Sequence, residues 1–177
     1  ALTLVGEEKH LPYDRPPLSK TMLSSDQDAD DLTLVSSSDL SELDLNLVLG
    51  EQATGLDTNR REVTVGGDAI RYDGLIIATG ARARKLSKSD DNDEIHVLRT
   101  VDDALAIRSS LRSKSAVVIV GAGFIGSEVA AAARQHDCQV TIIEANEAPL
   151  VRGLGHQVGS ACGQLHQAHG VDLRLGT

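Results

Sequence analysis

Short apolar runs recur along this chain, some separated by turn residues and others by stretches with helical spacing, which predicts an α/β fold. The strongest pattern lies between Ser115 and Glu144. Ala116–Val120 is an unbroken apolar, β-rich run, as expected of a strand buried on both faces of a parallel sheet. Phe124–Gln135 follows as an alanine-rich helical stretch, and residues 139–143 form a second apolar strand that ends on the acid Glu144.

Earlier in the chain, residues 2–5 read as a strand closed by Gly6 and followed by the acids Glu7 and Glu8. Nothing precedes it, so this strand lacks the neighbour that it should pair with. Pro16 and Pro17 suit a helix entry, with the helix running through Leu23. Residues 32–35 predict a short strand, and the alternating leucines of 43–49 predict a half-buried one. With 53–56, Glu62–Val65 and 69–72, punctuated by turns at 57–59 and at Gly66-Gly67, they predict a small antiparallel meander. Residues 75–78 predict a buried strand whose carboxyl end turns at Thr79-Gly80-Ala81. A polar connector, 82–94, leads to a strand at 95–98. Thr100 with Asp103 predicts a capping box that opens a helix over Val101–Arg112, and a domain boundary falls there. A loop through Pro149 and Arg152, a helix over 156–169 and a strand over Val171–Leu175 complete the pattern.

The chemistry enters between the first strand and helix of the strong pattern. Gly121, Gly123 and Gly126 have G-x-G-x-x-G spacing: the first permits a tight turn, the second a close approach of backbone to a pyrophosphate, the third close helix–strand packing. The helix N-terminus offers free N–H groups and a positive dipole end to the diphosphate. Glu144 lies 18 residues after Gly126, near where such folds place the acid that accepts a ribose 2′-hydroxyl. A carboxylate there repels a 2′-phosphate, so NAD(H) is favoured over NADP(H), and Glu144→Arg is expected to shift preference towards NADPH.

Composition narrows the partners. The chain has 177 residues, 41% of them apolar, enough for a core, and no apolar run long enough to span a membrane. No basic, apolar leader is visible, although Ala1 leaves room for a removed segment. Cys138 and Cys162 are widely spaced and read as reduced thiols of an intracellular, cytoplasmic protein. Net charge is −9, and residues 21–59 carry nine acids and neither Lys nor Arg. That excludes nucleic acid and anionic membrane as partners, and aromatic residues at 2% supply no base-stacking platform. His166 and His169 sit one helical turn apart without a third ligand and read as a solvated helix face, so no metal is expected.

Taken in order, the strand–acid–PYDRPPLSK segment, YDGLIIATGA, the HVLRT-x-x-D-A helix and GAGFIGSEVA resemble the FAD-dependent pyridine nucleotide-disulfide oxidoreductases, specifically their oxygenase-coupled ferredoxin reductase group. The resemblance covers nearly the whole chain. It implies a Rossmann-like FAD/NAD-binding fold, in which residues 1–100 are a partial FAD domain lacking its first βα unit and residues 101–177 begin an NAD domain. Glu7 would bind the FAD adenosine ribose, Arg15 and Lys20 would lie along FAD with Lys20 near the reactive flavin nitrogen, and Ala78, Thr79 and Gly80 would pack against the cofactor. Arg99 would meet its pyrophosphate. On the NAD side, Gly121, Gly123, Phe124, Ile125 and Gly126 would hold the diphosphate, Glu144 the ribose and Arg152 the adenosine end, while Glu128 would face the nicotinamide.

The family's first glycine fingerprint would lie upstream of Ala1, and further segments downstream of Thr177. The resemblance therefore implies an internal piece of a parent roughly two to three times longer. No cysteine lies near PYDRPPLSK, where disulfide-reducing relatives carry a pair, so that branch is the weaker match. The implied activity is electron transfer from NADH through FAD to a small iron–sulfur acceptor of ferredoxin or rubredoxin type, with Lys20 and Glu128 beside the transfer. The alternatives are a nucleotide-binding fragment without turnover and another flavoprotein disulfide or peroxide reductase.

Overall fold

The computed structural model describes residues 1–86, 92–113 and 116–177 of the 177. Ser115 and the middle of the 82–94 connector lie outside the described residues. In chain order the elements are β1 (Leu2–Gly6), α1 (Thr21–Ser24), α2 (Ser37–Glu42), β2 (Leu45–Leu49), β3 (Ala53–Asp57), β4 (Glu62–Val65), β5 (Asp68–Arg71), α3 (Val101–Arg112), β6 (Ala116–Val120), α4 (Phe124–Gln135), β7 (Gln139–Glu144), α5 (Val151–Ala168) and β8 (Val171–Leu175). They divide between two compact units, the first made of Ala1–Asp14 and Ala29–Ala81, the second of Arg15–Asp28 and Arg82–Thr177. No helix among the described residues is long and apolar enough to cross a membrane.

In the first unit β1 and β2 run parallel, with Leu2 opposite Leu45 and Gly6 opposite Leu49. The expectation that the first strand has no partner is thus corrected. A parallel pair needs a long crossover, and the intervening chain supplies it. The alternating leucines therefore belong to this pair, and the meander reduces to β3–β4–β5. Gly66 and Gly67 turn from β4 to β5 at φ 58° and 94°, the consecutive left-handed conformations that a two-residue hairpin turn demands. Helix α2 has no apolar periodicity to announce it; a capping box between Ser36 and Asp39 starts it. Residues 32–35, expected as a strand, contribute one antiparallel bridge, Thr33 with Tyr13, because Asp30–Leu32 coils into a 3-10 turn. Residues 75–78, expected as a buried strand, form no ladder, and Ile76 and Ile77 are 89% and 67% exposed. No strand lies beside them among the described residues, so their apolar side chains have nothing to pack on.

The second unit is built on a parallel sheet in the order β6–β7–β8, with Ala116 opposite Gln139 and Val140 opposite Val171. Helix α4 turns small residues inward, Ala130, Ala132 and Ala133 among them, which lets it sit close to the sheet. Val118 and Val120 on β6 are 61% and 62% exposed. Burial of this strand on both faces is therefore corrected: only the face carrying Val117 and Ile119 is partly covered. Residues 95–98 form no strand. The single helix expected from Pro16 to Leu23 divides into a 3-10 turn, Pro16–Ser19, and α1, because the backbone of Lys20 leaves the helical region at φ −120°, ψ −105°. Helix α5 starts at Val151, earlier than expected, and kinks at Gly155, whose φ of 77° suits only glycine.

Met22 and Leu23 of α1 are fully buried among α3 and α4. Arg108 of α3, itself 9% exposed, fastens this segment by donating from Nη1 to the carbonyls of Met22 (3.4 Å), Ser25 (3.1 Å) and Gln27. Arg112 adds a bond to the Ser25 carbonyl at 3.1 Å and pairs with Asp26. The PPLSK turn thereby becomes part of the second unit.

Candidate functional site

Residue by residue, the site begins where β6 ends. The Gly121 N–H donates to the Ile143 carbonyl at 2.8 Å, fixing the start of the glycine loop to β7. A Cβ on Gly126 would lie 2.1 Å from the Gly121 carbonyl oxygen, so loop and helix touch backbone to backbone there. A Cβ on Gly121 or Gly123 would meet nothing within 4 Å. The loop therefore has a tight inner side and an open outer side at the N-terminus of α4, the arrangement that admits a diphosphate.

Glu144 ends β7 directly beside this loop. Its Oε2 accepts the Ala122 N–H at 2.6 Å, and Oε1 accepts the Asn146 N–H at 2.9 Å together with the Asn146 side-chain amide. Burial alone would raise the carboxyl pKa. The bonds from the Asn146 backbone, the Ala122 backbone and the Asn146 side chain, with the Arg152 charge, outweigh it and hold the pKa below the usual 4.5. The acid is ionised at neutral pH and faces the loop.

A second cluster forms where the PPLSK turn meets α4. Lys20 Nζ lies 3.0 Å from Glu128 Oε2 and also donates to the Pro16 carbonyl at 3.1 Å. Ser19 Oγ donates to the same Glu128 oxygen. Both charged side chains are partly exposed, at 51% and 31%, so the pair adds only about 0–1 kcal/mol to stability. It stands on a cleft of about 290 Å³ lined also by Arg15, Arg99, Phe124 and Ile125. Arg15 Nη1 donates to the Arg99 carbonyl at 2.7 Å, and Asp103 accepts the Arg99 N–H at 2.9 Å, so the α3 capping box also fixes Arg99. Phe124 and Ile125 are 55% and 53% exposed and form an apolar wall beside these charges. A concave, partly apolar cleft with a few convergent charges is what a flat cofactor ring requires.

The structure thus brings Arg15, Lys20, Arg99, Phe124, Ile125 and Glu128 to one cleft, and Gly121, Gly123, Gly126, Glu144 and Arg152 to one end of the sheet. Glu7, Ala78, Thr79 and Gly80 belong to the first unit, where all four are exposed. Sequence reasoning missed Ser19 and Asn146. Each sits within two positions of a residue that it did select, but only the folded geometry shows that their side chains bind Glu128 and Glu144. Among the described residues no group of three or more His, Cys, Asp or Glu could hold a metal, and Cys138 and Cys162 form no disulfide.

The pyridine nucleotide-disulphide oxidoreductase profile matches residues 1–177. Rhodocoxin reductase of Rhodococcus erythropolis is 42% identical over 99% of this chain and 42% of its own length. The ferredoxin–NAD(+) reductase component of the p-cumate 2,3-dioxygenase system of Pseudomonas putida is 39% identical over 99% of this chain and 44% of its own. The crystal structure of the covalent putidaredoxin reductase–putidaredoxin complex superposes with a TM-score of 0.92 at 34% identity, over 99% of this chain and 43% of that one. The chain spans about two-fifths of the length of the curated relatives it matches.

Proposed function

The chain belongs to the pyridine nucleotide-disulphide oxidoreductase family, and from that premise we propose that it serves electron transfer from NADH through FAD to a small iron–sulfur protein of ferredoxin or rubredoxin type, in the cytoplasm. Its relatives support the acceptor class: one is named as the ferredoxin–NAD(+) reductase component of a dioxygenase system, the others as rhodocoxin reductase and as putidaredoxin reductase in complex with putidaredoxin. The observation that carries the reading is the Lys20–Glu128 pair, set on a partly apolar cleft at the N-terminal end of the helix that follows the glycine loop.

In this reading residues 1–100 belong to the FAD domain and 101–177 to the NAD domain. Glu7 takes the FAD ribose, Arg15, Ala78, Thr79 and Gly80 line the cofactor, and Arg99 meets its pyrophosphate. Gly121, Gly123, Phe124, Ile125 and Gly126 receive the NADH diphosphate on the open side of the loop, Glu144 takes the ribose and Arg152 the adenosine end. Bound FAD supplies the acceptance of a hydride and its release as single electrons. The chain's own contribution is orientation and charge. Lys20 places a positive charge beside the ring, Glu128 holds that ammonium and Ser19 holds Glu128. Phe124 and Ile125 give one side of the cleft an apolar wall.

The test is anaerobic mixing of the chain, FAD and NADH, followed by loss of flavin absorbance. NADH-dependent bleaching that falls about tenfold or more in Lys20→Ala supports the reading. NADH binding by calorimetry with no bleaching favours the second reading, a nucleotide-binding module without turnover. The chain's span of two-fifths of its relatives gives that alternative its weight.

A further inference from the structure

An ionised carboxylate offers about four lone-pair sites, two on each oxygen. On Glu144, Oε1 has both filled by Asn146, through its backbone N–H at 2.9 Å and its side-chain amide. Oε2 has one filled, by the Ala122 N–H at 2.6 Å. The side chain is only 9% exposed, so water has little access to what remains. One acceptor site is left, on Oε2, the oxygen that the glycine loop already bonds.

Asn146 is itself held in place by the chain beyond β8. The Gly176 N–H donates to the Asn146 carbonyl and the Thr177 N–H to the Glu144 carbonyl, each at 3.2 Å. The residue that fills Oε1 is therefore built into the sheet's edge and needs no ligand to set it.

We infer that Asn146 is a positioning residue that saturates one oxygen of Glu144, so that the carboxylate reads a single hydroxyl of the adenosine ribose of NADH through Oε2. This rests on the NADH site proposed above and refines it. A free carboxylate at a strand end has open acceptors on both oxygens and can take the 2′- and 3′-hydroxyls together. Here the second hydroxyl finds Oε1 already occupied. The lowered pKa agrees with the donor count, because each of these bonds favours the charged form, as does Arg152 on α5.

The probes are NADH and its two analogues lacking the 2′- or the 3′-hydroxyl of the adenosine ribose, titrated calorimetrically into the 177-residue chain. With the native residue one analogue loses about tenfold or more in affinity, the size of a bond to a charged acceptor, and the other stays within about twofold of NADH. In Asn146→Leu, which keeps the backbone N–H and frees one site on Oε1, both analogues lose affinity. Asn146→Ser, which restores a short donor, returns the native pattern. Equal losses for both analogues with the native residue, or none for either, overturn the inference while leaving the NADH site standing. Failure to bind NADH at all overturns the site and the inference together. An independent readout needs no ligand: the Ala122 amide resonance titrates with Glu144, and its midpoint rises in Asn146→Leu. An unchanged midpoint overturns the saturation of Oε1.

Discussion

Glu144 is a structural group as well as a binding one. Its carboxylate ties the strand end to the glycine loop through Ala122 and closes the turn after β7 through Asn146. Because these bonds favour the ionised form, the folded pKa lies below the value in the unfolded chain. The stability that they confer is fully present above the ordinary carboxyl value of 4.5 and is lost as the pH falls through the lower folded pKa. Urea denaturation followed from pH 7 to pH 3 checks this. The native chain loses stability in the acid range, and Glu144→Gln loses less of it because its amide does not titrate. An equal acid loss in both proteins refutes the assignment. The same contacts qualify the expected effect of Glu144→Arg. An arginine at this 9% exposed position leaves the Ala122 N–H without its acceptor, so weaker NADH binding comes with a less stable loop.

Among the elements, the turn-and-helix of residues 15–28 depends most visibly on a neighbour. A four-residue helix after a 3-10 turn is far too short to hold itself. Arg108 and Arg112 of α3 clasp it, and His136, at the end of α4, adds a contact to the Leu23 carbonyl at 2.7 Å. Arg108→Leu leaves buried carbonyls unpaired and should cost about 1–3 kcal/mol. Amide exchange should quicken first at Leu23 to Ser25, and a uniform rise across the second unit would instead mean global loss of stability.

The elements also show what the sequence makes legible. The strand–glycine–helix–strand–acid unit was readable because its periodicities change type at the glycines and its tight contact, Gly126 against Gly121, is local. Helix α3 was readable from Thr100 and Asp103, whose reciprocal bonds are local too. The β1–β2 pairing was not, since a register between residues 2 and 45 leaves no trace in either segment alone. Residues 75–78 and 95–98 have strand composition but no ladder, because a strand is a property of its neighbour as well as of its residues. Lys20 and Glu128 stand together beside the transfer through a resemblance; that Ser19 joins them depends on the packing of two segments more than a hundred positions apart.

Over the whole molecule, exposed apolar surface and acidic charge oppose one another. Leu75, Ile76 and Ile77 are 40%, 89% and 67% exposed, and Val118 and Val120 add another pair on the sheet edge. Net charge of −9 favours solubility, while apolar surface of this kind invites association. The chain should bind an apolar fluorescent dye when folded and self-associate more readily as salt screens its charge. Replacing Ile76 and Ile77 by Asp should lower both signals while changing stability by less than about 0.5 kcal/mol per site, since neither side chain is packed. Undiminished dye binding in that variant would locate the apolar surface elsewhere.

The chain passes from one compact unit to the other after Asp14, after Asp28 and after Ala81. Neither unit is therefore a continuous stretch of gene. A single crossover between two related genes, wherever it falls inside this region, inherits at least one unit as a mosaic of both parents. Intact exchange of the first unit requires breakpoints at all three junctions, and a graft that carries residues 15–28 along with their flanks brings a Met22–Leu23 plug cut for another lineage's α3. Functional hybrids made by shuffling this region should accordingly retain 15–28 and the α3 segment from the same parent.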